Sequence, residues 1–141
     1  MIKLYSVNHC YSSHRAKEWM IYHNIPFHEV NVAQDELSTS EILYILSLTE
    51  NGIDDILLER SDTYKKYRQL FEESSLRAII LFIKKHRTVI RTPLIVDKNK
   101  LLVGFTEGKA SMFLPRIHKN ISLQLNAQNL YEMQDRAISE Q

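Results

Sequence analysis

The order of apolar and polar positions along the chain predicts strands and helices in alternation. Residues 2–6 (Ile-Lys-Leu-Tyr-Ser) alternate and run into a turn at Asn8-His9, as a strand leading to a loop would. Ala16, Trp19, Met20 and His23 then recur at helical spacing, with Ser12 or Ser13 as the N-terminal cap and Pro26 as the stop. Phe27 to Val32 reads as a second strand. Such a β-α-β opening, about thirty residues long, implies parallel strands.

The middle of the chain is helical in pattern. Ser38 or Ser40 is placed to cap a helix whose apolar positions are Ile42, Leu43, Ile45, Leu46 and Leu48, and Asn51-Gly52 punctuates it. A short apolar helix or turn follows over Ile53–Leu58. Tyr64, Tyr67, Leu70 and Phe71 predict another helical piece, and Leu76–Lys85 a stronger one. Pro93 cannot donate within a central ladder, so it must start a strand or lie on an edge. Leu94 to Val96 is the expected strand, Asp97-Lys98-Asn99-Lys100 a hairpin turn, and Leu101 to Val103 the antiparallel return. Thr106 and Glu107 open a last helix that runs through Ala110, Phe113 and Leu114 to Pro115. Polarity rises after about residue 119.

Composition narrows the class. A chain of 141 residues fits one domain, and at this size roughly 68–70% of the unfolded chain's surface becomes buried. With 44% hydrophobic and 25% charged residues, collagen-like and wholly disordered readings fall away. The single cysteine, Cys10, cannot form an internal bridge, which favours a reducing compartment. The opening Met1-Ile2-Lys3-Leu4-Tyr5 lacks the apolar run of a signal peptide, and no stretch approaches the 18 or so apolar residues of a membrane span. The expected location is therefore cytoplasmic, with no membrane partner.

The formal charge of +1 hides an uneven distribution. Residues 29–62 carry nine acidic side chains (Glu29, Asp35, Glu36, Glu41, Glu50, Asp54, Asp55, Glu59, Asp62) against one basic, Arg60. Residues 63–119 carry thirteen basic against four acidic. These regions either form two surfaces that steer partners of opposite charge or are simply solvated helix faces.

The candidate chemistry gathers at Cys10. A cysteine between a strand and a helix start meets unpaired backbone N–H groups and the positive end of the helix dipole, which favour the thiolate. The other reading is an inert, buried small hydrophobe. Ser13 occupies the place a resolving cysteine would take in a Cys-x-x-Cys pair. A hydroxyl cannot form a disulfide, so internal dithiol chemistry is excluded, while glutathionylation or an intermolecular disulfide is not. Arg15 is near in sequence, and Arg60 and Arg91 are candidates to converge on the thiolate as an oxyanion site or to act in buried pairing. No metal-ligand spacing, phosphate-binding glycine loop, helix-turn-helix or zinc-finger pattern is present. No cofactor is expected, nor is sequence-specific DNA binding by the protein alone. The basic run Lys84-Lys85-His86-Arg87 fits a solvated helix end better than a phosphate contact.

A set of short motifs recurs in a definite order: Cys10 ahead of its helix; Ile25-Pro26-Phe27; Leu48-Thr49-Glu50-Asn51-Gly52; Arg60-Ser61; Arg91-Thr92-Pro93-Leu94-Ile95; Val103-Gly104-Phe105; and Phe113-Leu114-Pro115-Arg116. In these the chain resembles the arsenate reductase–related (ArsC) family that includes the Spx regulators of low-GC Gram-positive bacteria. The resemblance covers about residues 1–116 and is closer to Spx than to the reductases. It implies an α/β, thioredoxin-like fold of the ArsC/Spx type, a small mixed sheet flanked by helices. Within it, residues 1–118 would form one domain with a helical insertion at about 34–88, and 119–141 a partly ordered C-terminal tail.

The same resemblance implies a function. Spx-like proteins bind the C-terminal domain of the RNA polymerase α subunit, redirect transcription under stress, and are controlled in part by ATP-dependent proteolysis. Gly52 corresponds to the α-subunit contact. Arg60 and Arg91 correspond to basic residues near the redox site, and Pro93 to the cis-proline position. Glu50, Asp54 and Asp55 would meet a basic partner surface, and the tail a protease or its adaptor. Thr92 stands where close Spx relatives commonly have arginine, and Cys10-Tyr11-Ser12-Ser13 lacks the usual second cysteine. Gly52 either needs a positive φ or close partner approach, or is a helix C-cap. The alternative function is an arsenate reductase–like enzyme, with Cys10 attacking an oxyanion held by Arg60 and Arg91 and an external thiol completing the cycle.

Overall fold

A computed structural model describes residues 1–114 of the chain, and the side chains of all of these except 70–73. Four strands, β1 (Ile2–Ser6), β2 (Phe27–Asn31), β3 (Leu94–Asp97) and β4 (Lys100–Val103), form one sheet in the order β2-β1-β3-β4. β1 pairs parallel with β2, and antiparallel with β3, which pairs antiparallel with β4. This is the mixed sheet of a thioredoxin-like α/β fold. The first crossover is α1 (Tyr11–Tyr22), and the β2–β3 connection carries α2 (Thr39–Ser47), α3 (Asp62–Glu73) and α4 (Leu76–Lys85).

Register divides the side chains between the two faces of the sheet. Tyr5 lies opposite Leu94, and Leu94 opposite Val103. These join Ile42 and Ile45 of α2 and Ile79, Ile80, Phe82 and Ile83 of α4 in the main core. One residue out of phase, Leu4, Ile95 and Leu102 line up across the same strands and face the other way. They are buried, as are Ala16, Trp19 and Met20 of α1. Helices therefore cover both faces, and Leu4 and Ile95 are wholly buried. Burial of each such side chain stabilises the fold by roughly 1.5–3 kcal/mol.

The helices start where local chemistry supplies caps. Ser38 and Glu41 form a reciprocal box on α2: Ser38 Oγ accepts from the Glu41 amide at 3.0 Å, and Glu41 returns a bond to the Ser38 amide at 3.4 Å. Glu41 also accepts from the Tyr5 hydroxyl at 2.8 Å and from Lys3 at 3.2 Å, so the cap ties α2 to the sheet. Burial and the Glu41 carboxylate both push the Tyr5 hydroxyl far above its usual pKa. Ser75 caps α4, and Lys84 and Lys85 sit in its last turn.

Two details depart from the sequence pattern. Neither Ser12 nor Ser13 caps α1; Cys10 does. The last helix is α-helical only over α5 (Glu107–Ala110) and continues as a 3-10 turn at Ser111–Phe113. A compact unit spans Met1–Ala110, and a second begins at Ser111. The tail expected at 119–141 and the motif residues Pro115 and Arg116 lie outside the described residues. Among those described, no helix is long and apolar enough to cross a membrane.

Candidate functional site: the Cys10 loop and the Gly52 turn

Cys10 ends the loop after β1 and begins α1. Its backbone is extended (φ −95°, ψ 113°), as an N-cap requires, and its sulfur takes the place of the usual capping oxygen. Sγ accepts from the Ser13 amide at 3.4 Å, and the thiol donates to the Thr92 carbonyl at 3.7 Å. The Thr92–Pro93 peptide bond is cis, and Pro93 immediately precedes β3. The loop before β3 therefore faces the helix N-terminus across the sulfur.

Burial raises the Cys10 pKa and is the largest single influence. The Ser13 hydroxyl and amide, Thr92 and the Ser12 amide act against it, and together they bring the thiol below its ordinary value. The Ser13 side chain is 1% exposed. Its hydroxyl forms no complete hydrogen bond among the described residues, yet it lies close enough to the sulfur to favour the thiolate.

No arginine is among the groups that lower the thiol pKa, and no ion pair or hydrogen bond joins Arg60 or Arg91 to Cys10. Arg91 acts instead on Asp55. Arg60 is exposed in the turn before α3. Arg15 lies over the Phe105 ring, 5.5 Å from its centroid, and faces Glu107 at 3.8 Å. In the basic run near residue 86, Arg87 donates to the Val32 and Ala33 carbonyls, and the His86 ring lies tilted against Phe82. Among the described residues, no group of three His, Cys, Asp or Glu side chains is placed to hold a metal.

Gly52 opens a 3-10 turn, Gly52–Asp55, downstream of α2. Its φ is +82°, a conformation that glycine adopts without strain, and the space where a Cβ would stand is open. It is not the α2 cap, which is Leu48. Asp55 locks the turn: its carboxylate accepts from the Asn51 amide at 2.9 Å and the Glu50 amide at 3.1 Å. The Asn51 amide bond leads the influences that hold the Asp55 carboxyl below its usual pKa, and Arg91 adds a smaller one. The Asp55 carboxylate is thus engaged by the backbone of its own turn, while Glu50, Asp54, Glu59 and Asp62 are exposed.

The two places are joined by backbone. Leu57 and Ile90 form an isolated antiparallel bridge, with Arg91 N–H donating to Ile56 at 2.7 Å and Leu58 N–H to Val89 at 2.7 Å. The residue after Arg91 is Thr92, whose carbonyl meets Cys10. The Thr92 contact has no sequence signal of its own beyond the neighbouring Pro93. The bonding of Asp55 to its turn has one, an acidic residue four positions after an asparagine at a glycine turn.

Known proteins share this architecture. Residues 5–113 match the model of the ArsC family. The "Global transcriptional regulator Spx" of Streptococcus pneumoniae is 36% identical over 123 residues, covering 87% of this chain and 92% of that protein. The Bacillus subtilis protein of the same name is also 36% identical, covering 87% and 94%. Among solved structures, an ArsC-family related protein from Bacteroides fragilis superposes with a TM-score of 0.68 at 18% identity, covering 79% of this chain and 95% of its own. An arsenate reductase from Vibrio cholerae gives 0.68 at 16%, covering 80% and 97%. Those two likenesses speak for the fold, whereas the family match and the Spx relatives settle kinship: the chain belongs to the ArsC family and is a relative of Spx.

Proposed function

We propose that this protein is a transcriptional regulator of the Spx kind that docks on the C-terminal domain of the RNA polymerase α subunit through the Gly52 turn. The coarser part, a role in transcription regulation, is supported by relatives named as global regulators at 36% identity over most of the chain. The finer part rests on one observation: an exposed turn with a glycine at φ +82° and open space above it. A partner can come close to backbone there. Exposed Glu50, Asp54 and Glu59 give the rim a negative charge suited to a basic partner face. Cys10 acts here without an internal disulfide switch, and turnover by an ATP-dependent protease sets the amount of protein.

Calorimetric titration of the reduced protein against the isolated α-subunit domain tests this reading. Micromolar or tighter binding is expected, lost in Gly52→Arg. Gly52→Asn, whose side chain tolerates positive φ, separates loss of docking from backbone strain. No heat of binding with folded wild-type protein would end the reading.

The second reading, an arsenate reductase–like enzyme, is favoured by the lowered pKa of Cys10 at a helix N-terminus. It predicts arsenate-dependent turnover with glutathione or glutaredoxin that Cys10→Ser abolishes. The absence of any arginine acting on the sulfur weighs against it.

A further inference from the structure

The Ser13 hydroxyl is the one buried side-chain oxygen or nitrogen without a hydrogen-bond partner among the described residues. It sits beside a sulfur already held by an amide, at the start of a helix. In the thiol form it has nothing to bind that needs it. A thiolate, or a sulfur bearing a substituent, supplies the missing acceptor. Among the described residues no cation is bonded to the sulfur, and the chain has no second thiol. What it favours is reaction with an electrophile that is uncharged at the reacting atoms and requires only a thiolate.

We propose that Cys10 is a monothiol exchange site that accepts a thiol substituent from low-molecular-weight disulfides, with Ser13 holding the reacting sulfur. The Cys10 thiolate attacks one sulfur of R–S–S–R along the S–S axis. The Cys10 Sγ–S bond forms, the original S–S bond breaks, and R–S⁻ leaves with the electron pair and takes a proton from water. Cys10 is oxidised and one R–S sulfur is reduced, so one disulfide replaces another and nothing else is consumed. The Ser13 amide and hydroxyl both donate to the attacking sulfur. Because a hydroxyl cannot resolve the product and the chain has a single cysteine, the adduct persists until an external thiol removes it. Cys10 is a free cysteine and only half-buried.

This site stands apart from polymerase docking and is tested apart from it. The full-length reduced protein is incubated with glutathione disulfide, and the adduct is followed by intact mass. The same thiol in the urea-unfolded chain is the reference at each pH. Native Cys10 is expected to react faster than the reference at neutral pH, to reach its full rate at a lower pH, and to return to thiol with dithiothreitol. Ser13→Ala, which removes only an unpaired hydroxyl and keeps the amide, is expected to slow the native reaction roughly threefold to tenfold, as loss of a donor to an ion should. Ser13→Cys is expected to hold no adduct, because the introduced thiol expels R–S⁻ and leaves an internal disulfide. A native rate no greater than the unfolded rate overturns the proposal. So does an unchanged rate in folded Ser13→Ala, or an adduct that persists in Ser13→Cys.

Discussion

At the scale of single residues, four positions behave unlike their composition class. Ser13 is a buried polar group that gives the fold nothing, because its hydroxyl lacks a complete bond. Ser13→Ala should therefore be neutral or stabilising by up to about 1–3 kcal/mol, measured by urea unfolding. Gly52 is the reverse case, with nothing to clash but a backbone that resists a Cβ. Gly52→Ala should cost about 1–2 kcal/mol and Gly52→Asn distinctly less. Asp55 and Cys10 both have pKa values lowered by folding. For each, the ionised form is favoured in the folded state, so stability is present above the unfolded pKa and lost as pH falls through the folded one. Asp55 should thus titrate by NMR below the ordinary aspartate range, with the Gly52 turn loosening on the acid side of that titration. Cys10 makes stability rise as pH climbs from below toward the ordinary thiol pKa, a rise that Cys10→Ser should flatten.

At the scale of elements, the sequence is most readable where one local rule suffices. Leu76–Lys85 is helical over the very residues its apolar pattern marks, because Ser75 caps it and a full face is buried. β3 begins directly after Pro93, where the missing donor requires. The α2 box is legible too, and Ser38→Ala should cost about 1 kcal/mol by removing one half of it. What the sequence hides is long-range. The sulfur that caps α1 also meets the Thr92 carbonyl, from a loop 82 residues away. The Leu57–Ile90 bridge brings the Arg91 backbone to Ile56, beside the turn whose Asp55 feels the Arg91 charge, and no spacing rule encodes that bridge. Arginines at 60 and 91 read as an oxyanion pair from residue type alone, and both side chains are exposed.

At the scale of the molecule, stability resides in the face of the sheet that carries α2 and α4. Ile83 is wholly buried there, and Ile83→Ala should cost about 2–5 kcal/mol by urea unfolding, with the Gly52 turn losing order only in the global transition. The Leu57–Ile90 bridge has one more consequence, which concerns synthesis. The turn sequence emerges early from the ribosome, yet the backbone groups of Ile56 and Leu58 stay unmatched until Val89, Ile90 and Arg91 follow them out. α3 and α4 must be made in between. A nascent or cleaved chain ending before Val89 would contain every residue of the Gly52 turn and still lack its clasp, so a half-made chain has no finished turn to present.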